Sequence, residues 1–126
     1  MFHEVKSTRL LAAIQHDFAE AARKEGFGTL ATHDLHAKLN EKGVPFAPHC
    51  LVFEICDPRQ ARDVLEADPR MASLLPCRIA AHDLGGATTL SMVLPTAMLA
   101  PDASPALKTA AAEVETRMKK LVDALK

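Results

Sequence analysis

A chain of 126 residues, 48% hydrophobic and 25% charged, reads as one domain, long enough to bury a core without disulfides or metal. Lys plus Arg number 15 and Asp plus Glu 16, for a net charge of -1, with no Trp or Tyr and five Phe; this lacks the basic excess and stacking aromatics of a nucleic-acid binder. Charges interrupt the early apolar residues and no run reaches membrane-spanning length, so the expected location is cytoplasmic, and three cysteines, an odd number, argue for reduced thiols.

His3–Lys6 reads as a short first strand. From Thr8 onward Leu10, Leu11, Ile14, Phe18, Ala21 and Ala22 recur at helical spacing and form one stripe, with Gly26 as the stop signal. Phe27–Thr32 reads as a strand. Thr32 or Asp34 can cap a short helix that carries Leu35 and Leu39 inward and ends at Gly43, with Pro45 barring its continuation. His33 and His36 are three apart and could share a helix face, but no third ligand stands on an obvious face. Val44–His49, with two prolines, is a connection.

The stretch Leu51–Cys77 organises the chain. Leu51, Phe53 and Ile55 share one parity, Cys50, Val52, Glu54 and Cys56 the other, and in a strand these sets point to opposite faces. The first set is wholly apolar and the second carries an acid between two thiols. Both faces are expected to be covered, or the second to face a pocket or partner. Asp57-Pro58 caps the next helix, with Gln60 at the capping-box position; Ala61, Val64 and Leu65 are its buried side, and it ends before Asp68-Pro69.

Cys77–His82 and Thr88–Leu94 read as a hairpin about Gly85-Gly86. Thr89, Ser91 and Val93 alternate with Leu90, Met92 and Leu94, so one face should be the more exposed. Met98–Ala103 is a surface linker. Ser104-Pro105 opens the last helix, about 105–125, where Leu107, Ala111, Val114, Met118, Leu121 and Leu125 form a heptad stripe. That stripe packs either on the sheet or against a partner subunit. The order of elements predicts an α+β fold: a two-layer domain over residues 1–126, its mixed or antiparallel sheet of about four to five strands packed by helices, with a C-terminal amphipathic helix.

Several stretches resemble the domain-of-unknown-function family 302: HDL at 33–35, EKGV at 41–44, then LVFEICDP, QA, VLEAD, LPCRI, the Gly-Gly turn and a following proline. The resemblance runs from about Phe18 to Leu99, and the last helix suits the family. Its most specific pieces are Phe53-Glu54-Ile55-Cys56-Asp57-Pro58 and Leu75-Pro76-Cys77-Arg78. Family members often carry Asn at the position of Asp57, and either residue can cap a helix. The resemblance implies a small α+β fold and a homodimer. It brings no established activity or catalytic residue set.

Nucleotide-binding, hydrolase, CxxC and HExxH motifs are absent, and the cysteine spacing matches no zinc finger or ribbon. No nucleophile–base pair can be nominated, no cofactor is named by any motif, and whether the protein is an enzyme is left open. The chemistry-bearing residues that remain are Glu54, Cys56 and Cys77, with His49, Cys50 or His82 as further members. Cys56 precedes a helix N-terminus that would favour its thiolate. Cys77 approaches it only if the two strands are antiparallel neighbours. Two readings follow: a homodimeric binding or interaction domain in which these cysteines are core residues, or a thiol and histidine site for a metal ion, haem or redox chemistry.

Overall fold

The computed structural model describes residues Met1–Lys126. Five strands form one antiparallel sheet: β1 (Phe2–Ser7), β2 (Gly28–Asp34), β3 (Cys50–Cys56), β4 (Cys77–His82) and β5 (Thr88–Val93), in the order β1-β5-β4-β3-β2. Four helices accompany them: α1 (Leu11–Lys24), α2 (Leu35–Glu41), α3 (Pro58–Ala67) and α4 (Pro105–Leu125). Short 3-10 segments lie at Pro69–Leu74 and Pro95–Met98. No helix is long and apolar enough to cross a membrane.

The parity of β3 decides where the core sits. Leu51, Phe53 and Ile55 are buried and pack with Ile79 and Ala81 of β4 and Leu90 and Met92 of β5. Onto this face come Ile14, Phe18 and Ala22 of α1 and Val114, Met118, Leu121, Val122 and Leu125 of α4. Phe18 stacks on Phe53 with ring centroids 3.8 Å apart, fixing α1 over the middle of β3. All six residues of the α4 stripe are buried within the chain. Of the two uses open to that stripe, packing on the chain's own sheet and helices is the one the structure adopts.

The helix starts follow their capping chemistry. Asp34 accepts from the Ala37 amide, Asp57 from those of Arg59 and Gln60, and Ser104 from that of Leu107. Three local expectations fail. Gln60 does not complete a capping box: its side-chain amide donates instead to the Ala110 carbonyl of α4, 3.4 Å away. Leu35 and Leu39 are only half-buried, because α2 stands at a corner of the sheet and buries no residue fully. The linker from Met98 begins later, since Met98 closes the turn that Glu115 holds by accepting from the Thr96 amide and hydroxyl.

Of the two expectations for the second face of the sheet, cover by the chain's own helices is not what the structure adopts. Along the register Glu4↔Ser91, Ser91↔Ala80, Ala80↔Val52 and Val52↔His33, one row crosses all five strands on the face away from α1 and α4. Its members are exposed or half-buried. On the same face Thr89 of β5 is buried, and at the corner by α2 Lys38 reaches His33.

Candidate functional site

The antiparallel pairing of β3 with β4 sets Ile55 opposite Cys77, and Cys56, the next residue of β3, is near enough for its charge to act on the Cys77 thiol. Both cysteines line a cleft of about 50 Å³ enclosed by α3, the Pro69–Leu74 turn and α4. Thirteen of its 16 lining residues are hydrophobic. Met71, Met98, Leu107 and Val64 close it from the surrounding elements. Cys77 and Met98 also line an adjoining cleft of about 120 Å³, where Met118 joins them.

The polar groups of the first cleft are already engaged. Asp57 accepts from two helix amides and pairs with Arg117 at 3.0 Å. Burial by itself would raise this carboxyl, but Arg117 and the two amides outweigh it and hold Asp57 below the usual carboxylate range. The same arrangement corrects the expectation for Cys56. The α3 N-terminus is occupied by Asp57, not by the thiol. Burial and then the Asp57 charge push the Cys56 thiol up. Burial, then the nearby Cys56, does the same to Cys77. All three cysteines are free and half-buried.

The remaining sequence candidates lie elsewhere. Glu54 points to the open sheet face, where it bonds His33 and not Arg78 or Arg59. Lys38 Nζ, which can only donate, meets Nδ1 of the same imidazole at 2.7 Å. His33 therefore accepts from Lys38 and donates from Nε2 to Glu54. His33 and His36 do not share a helix face, because His33 belongs to β2. His36 instead lies against His49, with centroids 4.2 Å apart and the rings tilted by 36°, and bonds the Pro48 carbonyl. At the same end of the sheet Cys50 faces His82 across the ladder, and the His49 and Asp83 backbones are tied together through the Asp83 carboxylate and amide.

The candidates thus divide into three places: Cys56 and Cys77 in the cleft, Glu54 with His33 on the open face, His49, Cys50 and His82 at the far end of β3 and β4. No three His, Cys, Asp or Glu side chains converge to hold a metal ion.

The family model described as Domain of unknown function DUF302 matches residues 3–125. The chain belongs to the DUF302 family. The DUF302 match takes in β1 and α4, beyond the Phe18–Leu99 span legible from short motifs. A solved structure, described as that of an uncharacterized conserved DUF302 protein from Bacillus stearothermophilus, is 29% identical to this chain. The alignment covers 99% of this chain and 98% of that one, with a TM-score of 0.92. No curated protein matches the chain.

Sequence reasoning missed Arg117, which lies off the α4 stripe, and Met71 and Met98, which stand outside regular strands and long helices. Spacing carries no signal for residues that meet only through tertiary packing. His33 as the partner of Glu54 was reachable, since hairpin-like pairing of β2 with β3 sets Ala31 opposite Glu54 and His33 two residues on.

Proposed function

We propose that this DUF302 chain is a homodimeric binding domain, two copies meeting through the sheet face that α1 and α4 leave uncovered. The carrying observation is the composition of that face. Where an antiparallel sheet faces water its outward positions are typically polar. Here they include Ala31, Val52, Ala80 and Val93, with Phe2 64% exposed at the edge.

The charge pattern supports a second copy as the occupant. The central row has uncharged Ser91, Ala80 and Val52 in its middle, Glu4 at the β1 end and His33 with Lys38 at the β2 end. Because β4 is the middle strand, a two-fold axis along it through Ala80 sets the Glu4 end of one copy against the Lys38 end of the other. An uncharged row with charges around it, Glu54 opposite Arg78 beside it and Glu4 and Lys38 at its ends, fits the anatomy of a small interface, and isologous contact requires such self-complementarity. Five strands about 4.8 Å apart and about 20 Å long offer a footprint of roughly 500 Å², the scale on which stable interfaces of ~800 Å² accessible area per partner are built.

Sedimentation equilibrium tests this reading. The expected result is twice the chain mass for the native protein and the single mass for folded Ala80→Arg and Val52→Arg variants. A native monomer, or a dimer untouched by both substitutions, overturns it.

A further inference from the structure

Five of the chain's eight sulfur-bearing residues gather at one corner: Cys56, Cys77, Met71 and Met98 line the first cleft, and Met118 joins Cys77 and Met98 in the second. We propose that this corner is a binding site for a soft monovalent cation of the Cu(I) class, with Cys56 and Cys77 as its thiolate ligands and Met71 and Met98 as thioether ligands. This is independent of how copies assemble.

Three observations select that chemistry. The first is the donor set. Thiolate and thioether sulfur favour Cu(I), whereas carboxylate and carbonyl oxygen suit Mg and Ca, and structural zinc asks for four nitrogen or sulfur ligands of the Cys and His type. The only carboxylate on the cleft wall, Asp57, is held by Arg117 and two amides, and the Gln60 amide is turned to Ala110. No imidazole lines the cleft. Sulfur is what remains.

The second is size. About 50 Å³ is well below the 150 Å³ or so of a cavity that takes benzene, so an organic ligand would have to open the cleft, while a single ion would not. The third is setting. Thirteen of 16 lining residues are hydrophobic, and a dry sulfur-lined site keeps water, and with it oxygen ligands, away from the ion.

The binding step balances without a redox partner. Two S–H bonds break, two thiolate–metal and two dative thioether–metal bonds form, and two protons leave to solvent; no electron moves. The empty site holds neutral thiols and the loaded one a single negative charge, so affinity falls as pH is lowered.

The test is anaerobic titration of the purified, reduced protein with Cu(I) against a chromophoric Cu(I) chelator. One ion per chain and two protons released per ion are expected. Cys56→Ser and Cys77→Ser each lose retention against the chelator, Met71→Leu and Met98→Leu weaken it, and Cys50→Ser, at the far end of β3, leaves it unchanged. Failure of the native chain to retain Cu(I), or retention lost in Cys50→Ser and kept in Cys56→Ser, overturns the proposal, as does Zn(II) held as firmly through the same pair. Should a cysteine variant fail to fold, X-ray absorption on the loaded native protein decides: coordination by sulfur alone supports the site, and nitrogen or oxygen among the ligands refutes it.

Discussion

The guanidinium of Arg117 stands 3.0 Å from the carboxylate of Asp57, so the middle of α4 is bound to the cap of α3. The same side chain donates from Nε and Nη2 to the Glu25 carbonyl, at 2.9 and 2.7 Å, and lies 4.4 Å above the Phe27 ring. One residue therefore joins the end of α1, the entry to β2 and the start of α3.

Replacing Arg117 should cost far more than an ordinary surface change. Arg117→Met keeps the aliphatic packing but leaves Asp57 and the Glu25 carbonyl without their partner. A loss of about 2–4 kcal/mol is expected in urea unfolding. Arg117→Lys should restore little of it, since one ammonium cannot reach both acceptors and cover the ring in the fork's geometry. A loss under about 0.5 kcal/mol would show the three contacts to be idle.

Asp57 gives this junction a pH dependence. Its carboxyl is depressed in the folded state, so its contribution is present above the unfolded pKa and is lost as pH falls through the folded value. Asp57→Asn retains a capping oxygen but loses the ion pair. The native protein should exceed this variant in stability by a steady margin down to about pH 4, and the margin should shrink below that. Chemical denaturation across the range measures it; a margin unchanged to about pH 2 would contradict the assignment.

Gly26 should be coupled to Arg117. Its φ is +84°, and an added Cβ would lie 2.5 Å from Arg117 Nη2. Gly43 has a similar φ of +76° but open space around it. Both Gly→Ala changes carry backbone strain of about 1–2 kcal/mol, and only Gly26→Ala also displaces the guanidinium. Gly26→Ala should be the costlier in the native background, and the excess should vanish in Arg117→Met. A double-mutant cycle with no coupling would disprove the link.

The thiols should react slowly. Burial heads the causes that raise all three, followed by Asp34 and Asp83 for Cys50, Asp57 for Cys56 and Cys56 for Cys77. Alkylation by iodoacetamide near neutral pH should lag well behind a free cysteine and accelerate only at a pH above that at which a free cysteine does. Fast labelling of Cys56 at neutral pH would restore the activated thiolate that its place before a helix suggests.

Much of the architecture was legible because local rules and packing agree. The alternation in β3, the stripes of α1 and α4 and the caps at Asp57 and Ser104 each state a buried side or a start in adjacent residues. The site was legible only by halves. Cys56 and Cys77 stood out as thiols at two hinges, but whether they meet depended on β3 and β4 being antiparallel. Asp57 appeared as a cap, with nothing to show that it would take the helix amides from Cys56 and then recruit an arginine sixty residues on. The α4 stripe left a partner open as its target, and only packing could decide that all six residues stay within the chain.

The seam between β1 and β5 has a consequence in time. β1 has no other neighbour in the sheet, and roughly eighty residues separate Ser7 from its partner Thr88. During synthesis β1 emerges first of the strands and waits for the last one, while β2, β3 and β4 already have neighbours to pair with. The order in which the chain is made and the order in which its sheet can close run opposite to each other, so the earliest strand out of the ribosome is the one that most needs shielding until the hairpin arrives.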